Sequence, residues 1–179
     1  MIYVFLADGF ETIEALAPVD MLRRAKFDVT TVGVTGKTVK TSHNIDVLAD
    51  ITKDELNIEA ADAIILPGGM PGTLNLEADA TVQTSIDYCA DNGKYICAIC
   101  AAPSILGHKG LLKGKEAICF PGFEDALSGA KISEKYVVTD GKFVTARGAG
   151  VAVDFGLEIV KNLGGEELSK KIRETIQCK

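Results

Sequence analysis

The chain has no tryptophan, only two histidines and no apolar run long enough to cross a membrane. A transmembrane helix needs roughly 18 consecutive apolar residues. Acidic residues outnumber basic ones, 25 to 19, which gives a net charge of −6. Because no dense Lys/Arg cluster offsets this charge, nucleic-acid binding is disfavoured. We expect neither a membrane nor a nucleic-acid partner, and the apolar start without a basic leader predicts a cytoplasmic protein.

The five cysteines are odd in number and irregular in spacing. Such a set makes a poor disulfide framework. Cys97 and Cys100 form a C-x-x-C pair, but Cys97 falls inside a predicted strand, three residues before the bend. A shared dithiol site is therefore disfavoured. With two histidines and no second C-x-x-C, a zinc site lacks ligands, so the sequence predicts no metal and no cofactor.

Strand-like and helix-like segments alternate along the chain, a pattern typical of an α/β fold with a mostly parallel sheet. The length and the hydrophobic content of 47% fit a single domain over residues 1–179. The predicted strands are residues 2–7, 28–34, 62–66, 95–99 and 115–119. Hairpins are predicted at 38–48 and 136–145, and core-facing helices at 82–90, 152–163 and 168–176.

Cys100 lies where the predicted strand at 95–99 ends and small residues open a helix. The amides of a helix's first turn are unpaired, and its N-terminus carries a partial positive charge that favours thiolate over thiol. The position therefore predicts a reactive thiolate at Cys100. The alternative is structural, since a free cysteine is commonly buried in a protein core.

Several carboxylates fall near the start of the first predicted helix. Asp8 is predicted to cap this helix, with Glu11 as its reciprocal partner. Glu14 shares a helix face with apolar residues, namely Phe10, Ala17, Pro18 and Met21. Burial on that face would keep the Glu14 carboxyl protonated and able to donate a hydrogen bond to a thiolate. In the alternative, Glu14 points to solvent beyond the bend that Pro18 imposes.

The turn after the strand at 62–66 is predicted to lie close to the Cys100 turn. The carboxyl ends of parallel strands form the ligand-binding edge of an open α/β sheet, and both turns follow such ends. Glycines at 68 and 69 permit close approach. The amides of Gly69 and Ala101 are therefore predicted to form an oxyanion hole, and an ordinary glycine turn is the alternative.

Four separated segments together resemble the ThiJ/PfpI superfamily, in its bacterial ThiJ-like branch close to the parkinsonism-associated protein. They are Asp8–Glu14, Leu66–Gly69, Ala98–Pro103 and Ala146–Gly150. The resemblance implies a flavodoxin-like three-layer sandwich, with a mostly parallel central sheet and helices on both faces, and a homodimer. It makes Cys100 the nucleophile and Glu14 the protonated acid beside it. Gly69 and Ala101 would supply the oxyanion amides.

The same resemblance implies a pocket around these groups. Its expected residues are Glu11, Met70, Phe120, Arg24 and Ala149. Phe120 stands where some relatives place a pocket histidine. Arg24 and Ala149 match positions that approach the partner's pocket in dimeric relatives, and Ala149 replaces the proline that is usual there.

The implied function is a cysteine-dependent stress response without a cofactor. The chain would act on reactive dicarbonyls such as methylglyoxal, or on their protein adducts, as a glyoxalase or deglycase. A second interpretation is a redox sensor or chaperone without turnover, in which peroxide oxidises Cys100. A cysteine peptidase is less favoured, because Ala101 stands where protease-like members carry histidine. A role in thiamine-thiazole metabolism lacks a phosphate loop to support it.

Overall fold

The computed structural model describes residues 1–178, and a mostly parallel sheet lies at its centre. The strands are, in chain order, β1 (Ile2–Leu6), β2 (Val29–Gly33), β3 (Thr38–Lys40), β4 (Asp46–Leu48), β5 (Ile51–Thr52), β6 (Ala63–Leu66), β7 (Tyr95–Ile99), β8 (Glu116–Ala117), β9 (Lys131–Ile132), β10 (Val137–Asp140) and β11 (Phe143–Ala146). Within the described residues, seven strands form the central sheet in the order β10-β11-β7-β6-β1-β2-β5. All neighbours in it pair in parallel except β10, which is antiparallel to β11.

Helices cover both faces of this sheet. They are α1 (Thr12–Arg24), α2 (Gly72–Ala78), α3 (Ala80–Asp91), α4 (Pro103–His108), α5 (Ala152–Gly164) and α6 (Glu166–Thr175). One core contains side chains of α1, α5 and α6, and the opposite core contains side chains of α2, α3 and α4. This arrangement confirms the predicted α/β fold with helices on both faces. No helix in residues 1–178 is both long and apolar enough to span a bilayer.

The composition of β1 explains why both faces are covered. Successive side chains of a strand point to opposite faces of the sheet. Ile2 and Val4 enter the core on the side of α1, and Tyr3 and Phe5 enter the core on the side of α3. A strand that is apolar at every position therefore requires a layer of helices on each face.

A strand does form within the predicted range 115–119, but it is the short β8, which pairs with β9 outside the central sheet. After β8 the Ile118 amide donates to Thr145 Oγ1 at 3.0 Å. The Phe120 amide then donates to the Cys100 carbonyl at 2.7 Å. Ala117 and Cys119 are buried in the core on the side of α3 and α4, and hydrophobic pattern alone does not separate such a segment from a strand of the central sheet.

Both predicted hairpins form, and the second joins the central sheet. β3 pairs antiparallel with β4, and β10 pairs antiparallel with β11. Asp140 lies opposite Phe143, so the turn residues are Gly141 and Lys142, one position later than predicted. β11 continues parallel to β7, with Ala146 beside Ile99. The end of this hairpin therefore reaches the sheet edge where the Cys100 turn begins.

Phe155 of α5 is fully buried in the core beneath α1. Phe155→Ala would leave a cavity there, and we expect the free energy of unfolding to fall by about 3–5 kcal/mol. Leu48→Ala is the control, because residue 48 is 71% exposed and its truncation should change stability by less than about 0.5 kcal/mol. Urea denaturation measures both values, and equal losses would contradict this placement of the core.

Candidate active site

Cys100 occupies a sharp turn that the surrounding backbone holds in place. Its φ of +66° is uncommon for a residue with a side chain. The Cys100 amide donates to the Ala146 carbonyl at 2.9 Å, and its own carbonyl accepts from the Phe120 amide at 2.7 Å. Hydrogen bonds on both sides therefore stabilise the left-handed conformation. The thiol is partly exposed at the end of β7.

Two backbone amides from different turns point to the Cys100 sulfur. The amides of Ala101 and Gly69 both favour the thiolate and so lower the pKa of Cys100. Gly69 has φ +94°, a conformation that favours glycine. The turn after β6 and the turn after β7 therefore converge on one sulfur atom, where the sequence predicts a pair of amide donors.

Glu14 is the buried carboxyl of this site, with only 1% of its surface exposed. Its Oε2 accepts from the Gly68 amide at 3.0 Å, and its Oε1 makes no hydrogen bond. Burial raises the pKa of Glu14 to about 7, and the nearby charge of Glu11 adds to this effect. The first helix thus buries Glu14 on its apolar face, and Glu14 does not turn to solvent at Pro18. At neutral pH the carboxyl is close to half protonated.

The pKa of Cys100 moves in the direction opposite to the sequence-based expectation. Burial raises it to about 12, and the neighbouring Glu14 carboxylate contributes in the same direction. The amides of Ala101 and Gly69 lower the pKa by less than these two effects raise it. α4 begins only at Pro103 and is six residues long, so its N-terminus supplies little positive charge at position 100. With Glu14 ionised, the resting form of Cys100 is the thiol.

Glu11 lies at the edge of the site, and its predicted capping partnership with Asp8 is wrong. Asp8 Oδ1 accepts instead from the Lys40 amide at 2.8 Å, and α1 begins after Glu11 without a side-chain cap. Glu11 Oε2 accepts from Ser42 Oγ at 3.1 Å and lies 3.3 Å from His43 Nδ1. Ser42 and His43 lie between β3 and β4, so this hairpin binds the Glu11 side chain. The backbone of β3 binds the Asp8 side chain as well. Within residues 1–178, no three His, Cys, Asp or Glu side chains cluster as a metal site.

The remaining residues of the predicted pocket lie at different distances from the sulfur. Phe120 and Ala149 line one cavity next to the Cys100 turn. Met70 directly follows Gly69 and is 45% exposed. Arg24 pairs with Asp20 at 2.9 Å in the last turn of α1. It lies ten residues beyond Glu14, about 15 Å along the helix, so a role for Arg24 at a partner subunit's pocket stays a prediction.

Two glycines shape the site: the sequence predicts a close approach at Gly68, whereas it does not reveal the role of Gly148. A Cβ atom on Gly68 would lie 2.6 Å from Glu14 Oε2 and 2.7 Å from Cys100 Cβ. A Cβ atom on Gly148 would lie 3.2 Å from the Phe120 ring and 4.0 Å from Glu14 Oε1. Both glycines belong to the quoted motifs, but their pattern does not reveal which neighbour needs the space. Gly68 is the residue that lets Glu14 and Cys100 approach each other.

The sequence profile of the DJ-1/PfpI family matches residues 1–162. The chain belongs to the DJ-1/PfpI family. Protein dj-1beta of Drosophila melanogaster is 33% identical over 172 residues, which cover 94% of this chain and 92% of that protein. The Parkinson disease protein 7 homolog of Danio rerio is 33% identical over 181 residues, 98% of this chain and 96% of the relative. A deglycase of Pyrococcus horikoshii is 31% identical over 144 residues, with 79% and 86% coverage.

Solved structures of DJ-1/PfpI family members share this fold. Oxidised DJ-1 of Toxoplasma gondii superposes with a TM-score of 0.95 at 33% identity, covering 99% of this chain and 97% of that one. The DJ-1beta structure from Drosophila melanogaster gives a TM-score of 0.93 at 31% identity, with 99% and 97% coverage. The predicted family and its flavodoxin-like sandwich are thereby confirmed.

Gly68→Ala should displace the Glu14 carboxyl, because the new methyl group overlaps Oε2 and the Cys100 side chain. We expect a loss of about 1–3 kcal/mol in unfolding free energy and a changed rate of Cys100 alkylation. Gly150→Ala is the matched control, since a Cβ atom there meets nothing within 4 Å. Thermal unfolding and iodoacetamide labelling test both variants. Identical behaviour of the two would contradict the close approach at Gly68.

Burial of Glu14 should make stability fall as the pH rises. Its pKa is 4.5 ordinarily and about 7 in the folded protein, so between these values the folded state holds a proton that the unfolded state releases. The stabilisation is complete below pH 4.5 and is lost as the pH passes 7, a change of about 3 kcal/mol. Unfolding free energies between pH 4 and 8 measure it. Glu14→Gln should flatten this slope, whereas Glu134→Gln, at an exposed carboxylate, should preserve it.

Proposed function

We propose that the protein is a cysteine-dependent glyoxalase or deglycase that acts on reactive dicarbonyls or their protein adducts. The observation that carries this proposal is the buried Glu14 carboxyl, which has an unbonded Oε1 and lies beside the Cys100 side chain. A carboxyl with a pKa of about 7 takes up and releases protons readily at neutral pH. The deglycase among the relatives supports the same chemistry.

The first step joins Cys100 to the aldehyde carbon of a dicarbonyl. The Glu14 carboxylate takes the thiol proton while Sγ forms a bond to carbon, and the carbonyl electron pair moves to oxygen. The amides of Gly69 and Ala101 that flank the sulfur stabilise the developing oxyanion. Return of the proton from Glu14 to that oxygen gives a hemithioacetal, and all charges balance.

The second half of the reaction moves a proton between two carbons. Glu14 removes the proton from the sulfur-bearing carbon to give an enediolate and delivers it to the neighbouring carbon. The hydroxyl proton moves from the oxygen of the first carbon to the oxygen of the second, and the hemithioacetal becomes a thioester. Water then attacks the thioester, a 2-hydroxy acid leaves, and Cys100 regains its proton. For methylglyoxal the sum is addition of one water to give lactate. No cofactor enters the sequence.

A peptidase mechanism is less well supported, because neither histidine lies in position to serve Cys100. His108 Nδ1 pairs with Glu77 Oε1 at 2.5 Å, and His43 Nδ1 lies against Ser42 and Glu11 on the hairpin. Ala101 occupies the position after the nucleophile. We retain the stress-response role, the homodimer and the cytoplasmic location as parts of the proposal.

The second candidate function is redox sensing, with or without chaperone activity, at the same cysteine. Cys100 is partly exposed, while Cys89, Cys97 and Cys119 are buried. One equivalent of peroxide would convert the thiol to a sulfenic acid and a second to a sulfinic acid, each releasing water. A protonated Glu14 and the two amides would then hold the sulfinate oxygens.

Lactate formation from methylglyoxal by the purified protein tests the enzyme proposal. Cys100→Ser should lower kcat/KM at least about 100-fold, because the nucleophile is lost. Glu14→Gln should lower it by a similar factor or more, since general acid–base catalysis contributes about 10² to 10⁴.

Cys178→Ser is the control, because Cys178 is a partly exposed cysteine at the end of α6 and its replacement should leave the rate unchanged. Equal rates for wild type and Cys100→Ser would refute the enzyme proposal. Absence of turnover together with selective oxygen addition at Cys100, seen by mass spectrometry after mild peroxide, would favour redox sensing instead.

A further inference from the structure

An apolar cavity of about 390 Å³ opens beside the Cys100 turn, and the mechanism above does not use it. We call it the aromatic pocket. Its walls include Phe120, Tyr136, Arg147, Gly148 and Ala149. Aromatic residues make up only 6% of the chain, yet this pocket has two of them, 47% and 61% exposed. Its size suits a small organic ligand.

The aromatic pocket adjoins the turn that carries the reacting groups. Phe120 is tied to the Cys100 turn through its amide, which donates to the Cys100 carbonyl at 2.7 Å. Gly148 lies between the Phe120 ring and the Glu14 carboxyl, 3.2 Å and 4.0 Å from them when measured from its Cβ position. Because Gly148 has no side chain, no side chain at this position stands between the Phe120 ring and the Glu14 carboxyl. A substituent of a molecule bound at Cys100 can therefore extend over Gly148 into the pocket.

Arg147 gives this pocket an unneutralised positive charge. The other three arginines of the chain each pair with an aspartate: Arg23 with Asp50, Arg24 with Asp20 and Arg173 with Asp154. Among residues 1–178, the Arg147 guanidinium makes no ion pair or side-chain hydrogen bond. It lies 5.4 Å from the centre of the Tyr136 ring, a cation–π distance. Five N–H donors are thus available at the wall of an apolar pocket.

We propose that the aromatic pocket binds the substituent of the carbonyl substrate, and that this substituent is an aromatic or bulky apolar group ending in an anionic group. The inference rests on the proposed function for the reacting end of the molecule. The apolar body packs against Phe120 and Tyr136, because burial of apolar surface favours association. The anionic end binds Arg147, whose planar fork matches a carboxylate.

Binding of three inert 2-hydroxy acids tests this pocket without requiring turnover. Lactate, mandelate and 4-carboxymandelate are the products expected from methylglyoxal, phenylglyoxal and 4-carboxyphenylglyoxal. The acids are preferred as probes because dicarbonyls react with guanidinium groups. We expect mandelate to bind at least 10-fold more tightly than lactate, and 4-carboxymandelate about 5-fold more tightly again. Calorimetry gives the Kd values, and amide shifts at Phe120 and Gly148 locate the ligand.

Arg147→Gln should abolish the 5-fold step between mandelate and 4-carboxymandelate and preserve the step between lactate and mandelate. Arg147→Lys should restore part of it, since the positive charge is kept. Arg23→Gln, which removes an arginine that pairs with Asp50 outside the pocket, should change neither step. Tyr136→Ala should shrink the step between lactate and mandelate.

Equal Kd values for the three acids in the wild-type protein, or shifts confined to other surfaces, would overturn the proposal. A different result is that mandelate binds more tightly than lactate in both the wild type and Arg147→Gln, while the wild type binds 4-carboxymandelate no more tightly than mandelate. That result would overturn the anionic end of the proposed substituent. The outcome is separable from that of the proposed function. The expected binding order without any lactate formation supports the pocket and refutes the enzyme, whereas lactate formation without the binding order does the reverse.

Discussion

Glu14 is buried with one of its two carboxyl oxygens unbonded, and the site is built around that carboxyl. The Gly68 amide stabilises Oε2, and burial holds the pKa near 7. Both the space for the carboxyl and its distance from Cys100 depend on the missing side chain of Gly68. A buried polar group without its full set of partners is unfavourable, so the surrounding backbone has to be rigid enough to keep Glu14 in place. The hydrogen bonds of the Cys100 turn provide that rigidity on one side.

The order of the strands explains how four distant segments meet at this carboxyl. The segments at 8–14, 66–69, 98–103 and 146–150 follow or end β1, β6, β7 and β11. These four strands are consecutive neighbours in the sheet, in the order β11-β7-β6-β1, and all run in parallel. Their carboxyl ends therefore lie side by side at one edge, where open α/β sheets bind ligands. The fold brings Glu14, Gly69, Cys100 and Gly148 together through strand order.

Local patterns in the sequence predict the features that depend on periodicity. The strand at 95–99, the core-facing helix at 152–163 and the two hairpins follow from apolar spacing and turn residues. The strand predicted at 115–119 is shorter than expected and lies outside the central sheet, because the amides of Ile118 and Phe120 donate to Thr145 Oγ1 and the Cys100 carbonyl, contacts between distant segments. The Asp8 cap fails for a similar reason, since the Lys40 amide of the hairpin takes its carboxylate. Tertiary partners decide both cases, and no local window contains them.

The pKa of Cys100 is the clearest case of an effect outside the reach of the sequence. A nearby helix start favours the thiolate, but desolvation of the sulfur and the charge of Glu14 are larger and act in the opposite direction. Burial that holds the Glu14 pKa near 7 thus also disfavours a free thiolate. Transfer of the proton from Cys100 to Glu14 resolves this conflict. The pair carries one negative charge before and after the transfer, so the nucleophile forms by relocating a charge that is already buried.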